Sequence, residues 1–463
     1  MRKLLAVLVA GLLVAGSATS ASAGPAVEGR RTYTGTIEGA DYRVEMPRRW
    51  NGTLVLFSHG YYPFPGFGDG SLLVSNAEET AQWLLEHGYA LAASQYQNDG
   101  LGYLVEEAMR DQLSLLDWFA ATIGRPHRTV VTGQSLGVAI STLLVERYPH
   151  RFDGMLALCG AYDPLNTFNT ALDVNFAVKT LLAGGEDIDL VGAGDPAASR
   201  DALIAIVDRE RATARGRARL ALAAALGNIT GWYFSLQPKP TDPTGWIEQQ
   251  SEWVKWAKVF GNGPVAFADI AQVAGGNPLW NTGVDYTRQL ARSSQKETVA
   301  RAYREAGLDL RADLARLAAE PRIGADPSAV RYMYRYGVPT GRTTVPILSL
   351  HTTGDGGAAP DQERWYAEQV RGNGDPARLS QLYVERGGHC SFNAAEEVTA
   401  LHALLTKVDS GRWPDTDPGR LNAAANRFDP HYHQVLDLST FTKGLLPPAF
   451  ARYTPGVTLR PSR

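Results

Sequence analysis

The chain has 463 residues, a formal net charge of −3, 20% charged and 44% hydrophobic residues, and two cysteines. That length exceeds what one hydrophobic core usually supports, so a core carrying an inserted lobe is expected. Scattered charge, with neither a basic patch nor a like-charged tail, excludes a nucleic-acid binder and a tail-driven interaction protein.

Met1-Arg2-Lys3 is a short positive region, residues 4–16 are apolar, and Ala21-Ser22-Ala23 offers small residues before Gly24-Pro25. Together these predict a secretory signal peptide over residues 1–23 and a mature chain starting near Gly24. The apolar run is shorter than the ~20 residues of a bilayer span, and no later segment replaces it, so a soluble extracytoplasmic protein is expected.

Residues 32–37 and 42–46 alternate as a hairpin around Glu38-Gly39-Ala40-Asp41. Residues 53–58 form a continuous apolar run, the pattern of a strand buried on both faces of a parallel sheet, and end in His59-Gly60-Tyr61. The glycines of Gly66-Phe67-Gly68-Asp69-Gly70 fit neither a dinucleotide nor a phosphate-loop spacing and predict a mobile loop. Ser75 with Glu78 reads as a capping box opening a helix through His87-Gly88, and residues 90–94 follow as a strand. Residues 105–123 form an amphipathic helix stopped by Gly124-Arg125-Pro126.

Residues 128–132 then read as a strand, Gly133-Gln134-Ser135-Leu136-Gly137 as a sharp turn and residues 138–147 as a helix. That is the context a G-x-S-x-G nucleophile elbow requires. The two glycines let strand and helix close on each other, which lifts the Ser135 hydroxyl above the sheet edge, ready to attack a carbonyl. Residues 152–158 supply another strand. From 161 to 340 the alternation gives way to a mostly helical region rich in Ala, Arg and Trp, with helices predicted at 200–226, 246–260 and 295–317. Strand periodicity returns at 345–350 and 379–384, so the region between reads as a cap inserted into an α/β core. Past residue 411 the chain is rich in Pro, Asp and aromatics and is expected to wrap the core as an irregular extension.

A serine hydroxyl is a poor nucleophile at neutral pH; it needs a histidine base, which in turn needs an acid to fix its tautomer. Asp355 follows the first late strand, in His351-Thr352-Thr353-Gly354-Asp355-Gly356-Gly357, and His389 follows the second, in Gly387-Gly388-His389-Cys390. Each lies just beyond the carboxyl end of a predicted core strand, where open α/β sheets bind their ligands. Asp361 is a rival acid, and His351, inside or at the end of its strand, a rival base. His59 reads as a structural histidine of the loop it opens. His431-x-His433 lacks a third ligand in register, so no metal site is expected.

On His59-Gly60, the elbow, the stretch from Gly354 to Pro360 around Asp355, and Gly388-His389, the chain resembles the α/β-hydrolase superfamily, in particular its secreted serine-esterase and lipase-like members with a large cap. The resemblance covers residues 31–160 and 343–408. It implies a mostly parallel sheet with helices on both faces and a helical cap inserted after the strand that follows the nucleophile helix. The implied division is core at 24–160, cap at 161–340, core again at 341–410 and an extension at 411–463. It also implies a Ser135, Asp355, His389 triad in the superfamily's chain order, an oxyanion hole from the backbone N–H groups of Leu136 and Tyr61, and no cofactor.

In a secreted chain an even pair of cysteines is expected to be oxidised. The resemblance places Cys159 and Cys390 near neighbouring sheet edges, so a bridge anchoring the His389 loop is expected, with two separate buried thiols as the alternative. The leading functional expectation is a carboxylic-ester hydrolase acting on a small molecule, with no nucleic-acid partner. A secreted exopeptidase or amidase is the alternative and calls for acidic cap residues such as Glu248 and Glu252 to hold a substrate amine. A non-catalytic binding protein of the same fold calls for a lost triad, yet all three members are present. Trp232, Tyr233, Trp246, Trp253, Trp256 and Trp280 either line an apolar acyl site or form the core of the cap.

Overall fold

The computed structural model describes residues 29–62 and 72–462; the predicted leader and the glycine loop at 66–70 lie outside the described residues. Eleven strands are present among them: β1 Arg31–Ile37, β2 Ala40–Met46, β3 Thr53–Ser58, β4 Ala90–Tyr96, β5 Arg128–Gln134, β6 Gly154–Leu158, β7 Ile347–Gly354, β8 Leu379–Gly387, β9 Gln434–Asp437, β10 Thr442–Leu445 and β11 Phe450–Ala451. Nine of them form one sheet in the order β1-β2-β4-β3-β5-β6-β7-β8-β11. β4 through β8 in that order are parallel, while the β1, β2 and β11 pairings are antiparallel.

The apolar run of β3 is continuous because helices cover both of its faces. Leu54 and Leu56 pack into one core with the helices Val105–Thr122 and Leu136–Arg147, and Val55 and Phe57 into a second with Glu78–Glu86 and Ala394–Ser410. Burying each such side chain is worth about 1.5–3 kcal/mol. Between β6 and β7 the chain leaves the sheet and builds a helical cap, from Pro164–Leu182 to Pro327–Tyr336.

Several expectations change. The helix predicted at 200–226 is two, Pro196–Glu210 and Ala214–Ala225, because the Thr213 side chain accepts from the Gly216 N–H and caps the second. The run at 295–317 is likewise Lys296–Glu305 and Leu310–Ala319, the second capped by Asp309. Pro243–Trp253 runs into a π-helical turn, Val254–Gly261. The Ser75 capping box does not form: the helix begins after Ala77 with no side-chain cap, while neighbouring Asn76 and Thr80 donate across to the buried Glu397 carboxylate.

β7 extends to Gly354, which puts His351 inside it. The C-terminal extension is more regular than expected. It holds a helix, Pro418–Ala425, the β9–β10 hairpin, and β11, which adds to the sheet edge against β8. It then crosses to the cap. Arg460 Nη1 reaches Asp173 Oδ2 at 2.5 Å, and Ser462 donates from N and Oγ to Asp163 at 3.1 and 2.8 Å, so these residues clasp the first cap helix. No helix among the described residues is long and apolar enough to cross a membrane.

Candidate active site

Ser135 sits between β5 and the helix Leu136–Arg147 with φ 54° and ψ −119°. A non-glycine residue in that region costs on the order of 1–3 kcal/mol, so its surroundings must impose it. They do. An ideal Cβ on Gly137 would lie 2.0 Å from Ser58 O, and one on Gly133 would lie 2.3 Å from Gly137 O. The Ser135 N–H donates to Leu158 O at 3.0 Å, and its carbonyl accepts from the N–H groups of Val138 and Ala161 at 3.0 and 3.1 Å.

His389 Nε2 lies 2.8 Å from Ser135 Oγ, and its Nδ1 lies 2.6 Å from Asp355 Oδ2. Asp355 is fully buried, and its other oxygen accepts from the Gly357 and Ala358 N–H groups at 2.8 and 3.1 Å. Its oxygens face donors, so the carboxylate holds His389 in the tautomer with a proton on Nδ1. Nε2 is then the lone-pair nitrogen facing the serine.

The two rivals are elsewhere. Asp361 opens the helix Asp361–Asn373 and accepts from Asn228 Nδ2 at 2.9 Å; burial, only partly offset by Asn228 and Lys258, pushes its carboxyl up to about 7. His351 is fully buried on the other side of Asp355, with Nε2 3.6 Å from Asp355 Oδ2 and Nδ1 3.0 Å from Glu363 Oε1.

Leu136 is the first residue of its helix, where the N–H points out of the helix end. The loop His59-Gly60-Tyr61 passes over the serine: an ideal Cβ on Gly60 would be 3.1 Å from Ser135 Cβ. The Tyr61 hydroxyl donates to Asp269 Oδ2 at 3.3 Å, on the cap helix Pro264–Ala274, and the same oxygen accepts from the Tyr103 N–H at 2.8 Å. Asp269 thus ties the cap to this loop. His59 stacks on Tyr62 and Tyr96, its ring nitrogens face Gly60 O and Gln95 O at 2.8 and 3.2 Å, and burial takes it down to about 4.

Cys159 and Cys390 are disulfide-bonded, with Cα atoms 5.1 Å apart and a sequence separation of 231. The closed loop contains the whole cap, and chain-entropy reasoning puts the stabilisation from a loop that long at about 5 kcal/mol. Cys390 adjoins His389, so the bond also pins that histidine. Reduction under native conditions is therefore expected to lower the rate before the fold is lost. Parallel measurement of activity and far-UV circular dichroism during a dithiothreitol titration checks this, and coincident losses would limit the bond to global stability.

The cap reaches the loops that carry Asp355 and His389. An ideal Cβ on Gly387 would lie 2.5 Å from Trp232 Cδ1, and one on Gly356 2.6 Å from Trp253 Cγ. The glycines around Asp355 and His389 therefore admit cap tryptophans onto the backbone. Trp232 and Trp253 are buried, whereas Trp256 is 42% exposed. Glu252 accepts from Arg211 and Trp256 at 2.5 and 3.1 Å, and Glu248 is exposed on its helix.

Sequence reasoning missed Lys258, Asp269 and Glu363. Lys258, buried in the π-helical turn, donates to Gly357 O at 2.8 Å, and burial pulls its ammonium down to about 8 against the pull of Asp355 and Asp361. Its signal is a lysine amid the apolar positions Val254, Ala257 and Val259.

No family model matches the chain. It is similar to an o-phthalyl amidase from Xanthobacter agilis, 28% identical over 430 residues that cover 84% of this chain and 89% of that protein. Among solved structures it is similar to a membrane phospholipase A described as a bacterial virulence factor, at 15% identity and a TM-score of 0.37, covering 82% of this chain and 87% of that one. It is also similar to feruloyl esterase B from Aspergillus oryzae, at 13% identity and a TM-score of 0.37, covering 83% of this chain and 82% of that one.

Proposed function

The chain has the fold of the α/β-hydrolases, and from that premise we propose that it is a serine hydrolase forming an acyl-enzyme on Ser135. The observation that carries the reading is the unbroken line Ser135 Oγ, His389, Asp355, with contacts of 2.8 and 2.6 Å. His389 Nε2 takes the Oγ proton as Oγ bonds to the substrate carbonyl carbon. The carbonyl oxygen becomes an oxyanion that accepts from the backbone N–H groups of Leu136 and Tyr61, each such donor being worth about 2.7–4 kcal/mol in the transition state. His389 then delivers the proton to the departing oxygen or nitrogen. Water, deprotonated by the same nitrogen, releases the acid and restores Ser135.

Carboxylic esters have the better leaving group. The likeness to an o-phthalyl amidase over most of both chains favours amides as a second reading. The engagement of Glu252 by Arg211 gives no support to an amine-binding exopeptidase site. The pattern of residues 1–23 and the disulfide both support an extracytoplasmic, oxidising location.

A panel of esters of rising acyl length, aminoacyl and peptidyl amides and an o-phthalyl amide tests the substrate class. Hydrolysis of esters is expected, and it should vanish with any amide hydrolysis after fluorophosphonate treatment. Amide cleavage with inert esters removes the ester reading; activity that survives fluorophosphonate removes the serine mechanism.

A further inference from the structure

Behind the acid of the proposed triad lies a second histidine and carboxylate pair that takes no part in the acylation or deacylation steps. His351 and Glu363 are both fully buried. His351 Nδ1 faces Glu363 Oε1 at 3.0 Å; its Nε2 faces Ala358 O at 3.0 Å and Asp355 Oδ2 at 3.6 Å. Glu363 Oε2 accepts from Ser349 Oγ and Gln381 Nε2 at 2.6 and 2.7 Å. Each ring nitrogen of His351 thus meets only oxygen acceptors, and the carboxylate beside it is already supplied with donors. A neutral imidazole offers one proton to two such sites; an imidazolium offers both.

The groups around the pair come from every element packed on it. Asp355 follows β7, Asp361 and Glu363 belong to the helix Asp361–Asn373, Lys258 reaches Gly357 O from the cap, and Tyr162 and Tyr383 contribute hydroxyls that burial keeps protonated. Three carboxyl groups therefore share this space with one ammonium. His59 makes the contrast: its nitrogens face two carbonyls and no carboxylate.

We propose that His351 is a permanently charged positioning residue, an imidazolium held by Glu363 behind Asp355. It offsets part of the Asp355 carboxylate's field at His389. The direction of the His351 shift agrees: burial pulls it down, but Glu363 and Asp355 outweigh burial and hold it above the usual histidine value. The proposal rests on the triad reading, with Asp355 Oδ2 as the oxygen shared between the two histidines.

Two measurements separate the proposal from its premise. In Ser135→Ala protein with 15N-labelled histidine, the His351 signal, assigned by its loss in His351→Gln, is expected to keep protons on both ring nitrogens from about pH 6 to about pH 8. A single ring proton near neutrality overturns the proposal whatever the enzyme turns over. Kinetically, His351→Gln removes the positive charge, the imidazolium form of His389 gains, and the acid limb of kcat/KM should move up by about half to one pH unit. Glu363→Gln should move it the same way by less, and carries the kinetic test if His351→Gln does not fold. A rate lowered equally at every pH, with the limb unmoved, would show a structural role only and overturn the proposal.

Discussion

Alanine at position 135 is expected to abolish turnover of every ester and amide while leaving the thermal midpoint nearly unchanged. Removing the nucleophile of a serine triad typically costs about a million-fold in kcat, as much as removing the whole triad. The fold has little reason to respond. Ser135 is half-buried, and the positive φ at this turn is imposed by the contacts of Gly133 and Gly137 with their neighbours, which alanine leaves in place. A fluorophosphonate probe followed by peptide mapping gives the complementary readout: the wild type is labelled at Ser135 and the variant is not. Label recovered on a different serine would end the elbow assignment.

Asp355→Asn should follow closely, with a loss of about ten-thousand-fold, because the amide can donate where the carboxylate only accepts and so stabilises the wrong imidazole tautomer. Asp355 Oδ1 already accepts from two backbone N–H groups, which leaves Oδ2 for His389 Nδ1. Asp361→Asn is the control, the same isosteric replacement made at the rival acid. It keeps an oxygen for Asn228 Nδ2 and the backbone carbonyl for Thr458, and should stay within several-fold of the wild type. Steady-state kinetics on the two variants decides between the acids, and the reverse ranking makes Asp361 the partner of His389.

The elbow was legible because its constraints are local: strand, five-residue turn and helix are consecutive, and both glycines answer to backbone atoms within it or just beneath it. The succession of strands β3 to β8 along the chain was legible for a similar reason, each being an apolar run followed by a break; their order in the sheet was not. What escaped was set by distant partners. The strand read as ending at Leu350, yet β7 continues through Thr352 and Thr353 along β8, and this turns His351 inward onto Glu363. The glycines around Asp355 and His389 carried no sign of the cap, yet cap tryptophans occupy the space that side chains would have filled. The cap's helix breaks at Thr213 and Asp309 were hidden in runs of strong helix formers, where one capping hydrogen bond outweighs propensity.

The clasp on the first cap helix sets an order of assembly in time. Arg460 and Ser462 satisfy Asp173 and Asp163 across sequence separations of 287 and 299 residues. At synthesis rates of roughly 5–20 residues per second, the helix waits on the order of tens of seconds for these partners. Until they arrive, Asp173, fully buried in the finished fold, lacks its guanidinium. The first cap helix is therefore among the last elements of the molecule to meet its full set of partners.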